Sequence, residues 1–210
     1  MHAVGNDIID LAASPDREDY GHRRFVERVL TAPERHCYES HGETAILLWS
    51  FWAAKETAYK AMRKHHGDVS SAPRRYDVRL DHIPDANALH PQVARGVVVT
   101  PRDPVFVCIT VQPGLIHCFG VSTDGMLLDS VITGVGTVSD GASDSLTVRE
   151  LARQGLSSVL GSDPHCTDIV RVKDKRGLTP PAVFIRGRRS SIDLSLSHDG
   201  KYAAYAILLQ

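Results

Sequence analysis

Apolar positions recur at helical spacing over two long stretches of the chain and alternate with polar ones over several short stretches. Residues 43–64, rich in Ala, Leu, Lys and Glu and free of Gly and Pro after Glu43, predict one long helix. Before it, residues 3–11 (Ala-Val-Gly-Asn-Asp-Ile-Ile-Asp-Leu) read as a short strand, and Arg23–Tyr38 as two short helices. Phe25, Val26, Val29 and Leu30 give the first of these an apolar face, while Thr31, Pro33 and Glu34 form an N-terminal capping box for the second. From Tyr76 the texture changes to alternation, over 76–80, 96–100, 105–111 and 115–121, with Pro113-Gly114 as a hairpin turn. A second amphipathic helix over 146–160 follows, with apolar positions 148, 151, 152, 156, 159 and 160. Strands return at 168–173, 182–186, 192–197 and 202–209. The pattern predicts an α+β fold of two similar lobes, residues 1–123 and 124–210, each with helices packed on a small antiparallel sheet. The second lobe repeats the coarse order strand, helix, sheet without a clear residue-level repeat. Gly134-Val-Gly-Thr starts like a dinucleotide fingerprint but lacks the third glycine and an immediate helix, which excludes that reading.

On a helix, residues four apart lie nearly above one another, so Trp52, Glu56 and Lys60 share one stripe, flanked by the small Ala53, Ala54, Ala58 and Ala61. Asp7 stands among Val4, Ile8 and Ile9, where a strand buries at least one face, so its carboxylate needs a cation or backbone donors. Gly5 allows another backbone or a ligand to come close. Three features of the second lobe can carry chemistry. Lys173, Lys175, Arg176, Arg186, Arg188 and Arg189 concentrate positive charge, Gly177–Pro181 is a turn, and Ser195-Leu-Ser-His-Asp-Gly-Lys201 delivers Ser197 and His198 to a glycine turn. Adjacent strand residues point to opposite faces, so Ser197 and His198 are no nucleophile pair. With Lys201 and turn N–H groups they suit phosphate recognition. His117, alternating within a strand, reads as a core or edge residue.

The 210 residues carry a formal net charge of -1, so nothing global drives the chain to nucleic acid or membrane, and an anion site must come from local clustering. Cys37, Cys108, Cys118 and Cys166 form no CxxC pair, against a structural zinc site or a disulfide scaffold. No stretch approaches membrane-spanning length and the N-terminus lacks signal-peptide character, so the expectation is a cytoplasmic protein.

Gly5-Asn-Asp7, Trp52-Ala-Ala-Lys55-Glu56-Thr-Ala-Tyr-Lys60 and Ser195-Leu-Ser197-His198 together resemble the 4′-phosphopantetheinyl transferase superfamily. Phe25-Val-Glu-Arg-Val-Leu-Thr-Ala-Pro-Glu34 is similar to the stretch preceding the Lys-Glu helix in its holo-acyl-carrier-protein synthase branch. The resemblance implies a pseudo-dimeric fold and transfer of phosphopantetheine from coenzyme A to a serine of an apo acyl or peptidyl carrier protein, with release of 3′,5′-ADP. It implies that Asp7 and Glu56 bind Mg²⁺, that Glu56 and Lys60 are catalytic, and that Lys175, Arg176, Arg188, Ser197 and His198 bind coenzyme A. It implies no nucleic-acid or membrane partner and a monomer whose two lobes stand in for subunits. The order of segments departs from the two-lobed branch of the family, where the Ser-His segment precedes the Gly-x-Asp strand. Ile9 stands where that branch often has a further acid, so two protein carboxylates are expected on the metal. Arg23, Arg24 and Arg28 are candidates for docking an acidic carrier helix. Two rival readings are a Mg²⁺-dependent nuclease of the Asp…Glu-x-Lys type and a non-catalytic relative that binds coenzyme A or carriers. The nuclease motif, however, places Glu and Lys two apart on a strand.

Overall fold

The computed structural model describes residues 2–13, 22–139, 141–174 and 177–209. The elements run β1 (Val4–Asp10), α1 (Arg23–Val29), α2 (Ala32–Ser40), α3 (Ala45–Arg63), β2 (Asp77–Leu80), β3 (Gln92–Val99), β4 (Val105–Gln112) and β5 (Leu115–Ser122). They continue with β6 (Ile132–Thr137), α4 (Asp144–Leu160), β7 (Thr167–Val170), β8 (Lys173–Asp174), β9 (Gly177–Leu178), β10 (Ala182–Ile185), β11 (Arg188–Arg189), β12 (Asp193–Asp199) and β13 (Tyr202–Leu208). This is an α+β protein whose strands pair antiparallel throughout the described residues.

The first sheet has the order β1-β5-β4-β3-β2 and carries α3 on one face. The alanines on α3 allow that packing: Ala53, Ala54, Ala58 and Ala61 are fully buried. Gly5 completes it, because a Cβ there would lie 2.0 Å from the Thr57 carbonyl oxygen. The expected close approach at Gly5 is therefore helix backbone on strand backbone. The capping box at Thr31 and Glu34 is present.

Glu34 does more than cap. Its Oε2 lies 2.6 Å from Lys55 Nζ, and both side chains are 1% exposed. Lys55 also donates to the carbonyls of Val29, Pro73 and Tyr76, and Glu34 Oε1 accepts from the Val78 N–H. One ion pair thus ties α1, α2, α3 and the entry to β2. Burial pulls the Lys55 ammonium below the usual lysine range, and the Glu34 charge opposes that pull.

The C-terminal half builds a sheet of order β12-β13-β6 and a second of order β11-β10-β7, with α4 packed on β13, β12, β6 and β7. The sequence pattern placed a strand before the second long helix without setting its bounds; it is β6, in which Gly134-Val-Gly-Thr pairs with β13. Its glycine makes room: a Cβ at Gly134 would stand 2.4 Å from the Tyr205 ring, and one at Gly155 of α4 2.2 Å from the Tyr205 hydroxyl. The strand expected over 168–173 is shorter, because pairing with β10 ends at Val170.

Two sheet edges meet side by side. β1 ends the first sheet and β12 ends the second, and alternate side chains of β12 cap alternate backbone N–H groups of β1. Val4 N–H donates to Asp193 Oδ2 (2.6 Å), Asn6 to Ser195 Oγ (3.0 Å), Ile8 to Ser197 Oγ (3.1 Å) and Asp10 to Asp199 Oδ2 (2.6 Å). Behind this seam, Val4, Cys108 and Val121 share an apolar cluster with Leu128, Ala206 and Leu208.

Lys55→Met is expected to cost about 3–5 kcal/mol, because it leaves Glu34 charged and buried without its cation. A denaturant titration measures the loss, and an unchanged midpoint would remove Lys55 from this role.

Candidate active site

Asp7 is central in β1, on the face covered by α3, and Lys60 comes down from α3 to meet it. Lys60 Nζ lies 2.8 Å from Asp7 Oδ1, 3.0 Å from the Asn6 carbonyl and 3.3 Å from Ser197 Oγ. The Ser197 hydroxyl donates to the same Asp7 oxygen at 3.0 Å. The cation that the sequence demanded for Asp7 is therefore supplied by the chain itself. Glu56 stands one turn before Lys60 on α3 and is close enough to Asp7 to feel its charge. Burial, then Asp7, pushes its carboxyl up to about 7, with Lys60 opposing.

Asp7, Lys60, Ser197 and His198 open on one cavity of about 290 Å³. Its wall also carries Arg63 and Lys64 from the end of α3, Ser145 and Arg149 from the first turns of α4, Arg171, and Leu178, Pro180 and Pro181. Five of the lining side chains are cationic and one, Asp7, is a carboxylate. Such a wall favours an anion. Burial lowers the Arg171 guanidinium from its ordinary value, and the neighbouring positive charges of Arg149 and Arg63 lower it further. Arg149 Nε is buried with no hydrogen-bond partner among the described residues. Lys64, 7% exposed, is held by Asp193 Oδ1 and the Leu194 carbonyl, both at 2.8 Å. Its ammonium is also lowered by burial, against the pull of Asp193.

The structure redistributes the basic residues singled out in the sequence. Ser197 is buried against Asp7, whereas His198 is exposed and stands 3.5 Å from Asp144 at the start of α4. Arg188 lies exposed on β11 and is not among the residues lining the cavity, since β11 pairs at the far side of β10 from β7. Lys175 and Arg176 lie outside the described residues. The Gly177–Pro181 segment, expected as a turn, begins as strand β9 and does reach the cavity, through Leu178, Pro180 and Pro181. Missed in the sequence were Arg63, Arg149 and Arg171, each an ordinary polar position of a helix or strand in the linear pattern. The signal that could have found two of them is placement, for Arg149 follows a helix start and Arg63 lies three residues beyond Lys60. Asp10 binds the N–H groups of Ala12 and Lys201 and clamps the β12–β13 turn to β1.

Residues 3–94 match the model of the 4′-phosphopantetheinyl transferase superfamily. That segment, less than half of the 210 residues, is similar to the superfamily. The matched segment contains Asp7, Glu56 and Lys60, while Ser197, His198, Arg149 and Arg171 lie beyond it. Among solved structures, the chain is similar to the holo-[acyl-carrier-protein] synthase of Thermotoga maritima, with 12% identity and a TM-score of 0.41. That likeness covers 90% of this chain and 86% of the other. No curated protein matches the chain.

The phosphopantetheinyl transferase superfamily generally uses coenzyme A and Mg²⁺. No group of three or more His, Cys, Asp or Glu side chains able to hold a metal occurs among the described residues. Asp7 and Glu56 are nonetheless hard oxygen donors, and the mutual effect of their charges marks a place where a cation would be stabilised. This donor set fits a Mg²⁺ ion whose remaining ligands are water and phosphate oxygens.

A carboxyl raised from about 4.5 to about 7 on folding holds a proton that the unfolded chain has lost, so stability falls as pH rises through that window. Glu56→Gln removes the penalty. In EDTA at pH 8 the variant is expected to be more stable than the parent by on the order of 1–3 kcal/mol, and the gap should close towards pH 4.5. Denaturant melts across pH measure it, and a pH-independent difference would contradict the assignment.

Proposed function

We propose that the chain transfers the 4′-phosphopantetheine arm of coenzyme A to a serine of an apo acyl or peptidyl carrier protein and releases 3′,5′-ADP. The observation that carries this reading is the cavity in which Asp7 and Lys60 face Arg63, Arg149 and Arg171, next to a carboxyl poised to titrate near neutrality. Coenzyme A brings a pyrophosphate and a 3′-phosphate, and a pocket of arginines beside the start of a 17-residue helix suits such groups. His198 and Ser145 stand at the same end of the cavity and would add polar contacts. Arg188, exposed and away from the cavity lining, falls to the margin of this reading, and the arginines of the cavity take its place.

In the reaction, the carrier serine oxygen bonds to the phosphorus that bears the pantetheine arm, and the pyrophosphate bond to the 3′,5′-ADP portion breaks. Glu56 accepts the serine proton, the part a positioned carboxylate plays in general-base catalysis. Lys60 and the arginines meet the negative charge that grows on the departing phosphate. Asp7 and Glu56 would hold Mg²⁺, which when bound neutralises charge on the pyrophosphate. The seam between β1 and β12 brings the two halves of the site together within one chain. That supports a monomer of two lobes, 1–123 and 124–210, in a pseudo-dimeric arrangement. Phe25 stacks near Trp49 and Trp52, with Arg28 over the Phe25 ring, and Arg23 and Arg24 are exposed beside it. This surface is suited to docking an acidic carrier helix. No helix among the described residues is long and apolar enough to cross a membrane.

Intact-mass spectrometry of an apo carrier protein incubated with the chain, coenzyme A and Mg²⁺ tests the reading, with addition of one phosphopantetheine arm as the expected result. Glu56→Gln should lower the rate at least about 100-fold, within the range of general-base catalysis. Arg171→Ala should raise KM for coenzyme A by roughly 10–100-fold, the worth of a lost hydrogen bond to a charged group. Near-normal turnover by Glu56→Gln would overturn its role.

A further inference from the structure

One oxygen of the Asp7 carboxylate, the group that would hold a metal, already has two partners. Lys60 Nζ sits 2.8 Å from Oδ1 and the Ser197 hydroxyl donates to the same atom at 3.0 Å. Lys60 is further steadied by the Asn6 carbonyl at 3.0 Å. A divalent ion arriving alone meets this ammonium, a cavity wall with four more cationic side chains, and too few carboxylates to replace its hydration shell. A polyphosphate arriving at the same wall meets the opposite conditions. Lys60 itself lines the cavity, so its ammonium can turn from Asp7 towards phosphate oxygens without leaving α3.

We propose that Lys60 is a built-in stand-in cation on Asp7, surrendered only when a polyphosphate draws it away, so that metal and polyphosphate bind this site as a coupled pair. This rests on the phosphopantetheinyl transfer reading of the cavity and adds the order that the free protein imposes on it. Coupling of this kind is reciprocal: whatever factor the polyphosphate adds to metal affinity, the metal returns to polyphosphate affinity. Because Ser197 holds the same oxygen from β12, the seam keeps Asp7 in place while Lys60 moves.

The test is calorimetric titration of Mn²⁺ into the full chain, alone and with saturating coenzyme A, without carrier protein. The expected gain in Mn²⁺ affinity is roughly 5–150-fold, the usual range of coupling between two sites. Coenzyme A contributes phosphate ligands of its own, so Lys60→Met isolates the residue. It should bind Mn²⁺ alone about 10-fold more tightly than the parent and show a smaller gain with coenzyme A. Lys60→Arg keeps the cation and should retain the parent's coupling, which guards against a folding defect in Lys60→Met. Equal Mn²⁺ affinity with and without coenzyme A in the parent, or an unchanged affinity in Lys60→Met, would overturn the proposal. Failure of coenzyme A to bind would instead sink the transfer reading, and inorganic pyrophosphate in the same titration would still decide the role of Lys60.

Discussion

The edge of β1 is the constraint on which the rest of the molecule depends. An edge strand exposes an N–H group at every second residue, and a buried N–H without an acceptor costs roughly 1–3 kcal/mol. Val4, Asn6, Ile8 and Asp10 would carry four such groups, and β12 answers them with Asp193, Ser195, Ser197 and Asp199 rather than with its own backbone. Side-chain capping leaves a gap between the two sheets that backbone pairing would close. One end of that gap is the cavity. Ser197 therefore does two things with one hydroxyl, since it accepts the Ile8 N–H and donates to Asp7. The joint between the halves and the chemistry of the site share an atom.

Two ion pairs fix α3 against this seam. Lys55 and Glu34 bind it to the elements that precede and follow it, and Lys64 binds its last turn to Asp193, the first rung of the ladder. Glu56 and Lys60 lie between these anchors, so their height above β1 is set at both ends. Buried pairs of this kind contribute little net stability compared with apolar substitutes, but removing either partner is costly. Here they hold a helix in one register over a carboxylate, which is what a charge-handling site requires.

Local patterns revealed much of this in advance. The helix bearing Glu56 and Lys60, the capping box at Thr31 and Glu34, the close approach at Gly5 and the need of Asp7 for a cation all follow from spacing and chemistry within a few residues. The alternation of Asp193, Ser195, Ser197 and Asp199 with Leu194, Leu196 and His198 was equally visible, but its purpose was not. Its partners lie 189 residues away, and no local rule says that a hydroxyl will cap a distant strand edge. The arginines of the cavity were hidden for the same reason: Arg63, Arg149 and Arg171 converge only when α3, α4 and the segment after β7 are packed. A run of basic residues such as Arg186, Arg188 and Arg189 drew attention because it was dense in sequence, yet a hairpin turn leaves it exposed. The bounds of the strand at Gly134–Thr137 were masked by glycines whose role is to admit the Tyr205 ring.

One cleft, bounded by β1, α3, α4 and β12, is proposed to receive both a metal and the phosphates of coenzyme A. The most direct measurement is an anomalous-scattering map from crystals grown with Mn²⁺ and coenzyme A. The account predicts a metal peak ligated by Asp7 and Glu56, with the phosphates against Arg149 and Arg171 and Lys60 turned from Asp7 towards them. A metal peak remote from Asp7, or coenzyme A bound outside this cleft with Lys60 still on Asp7, would contradict it.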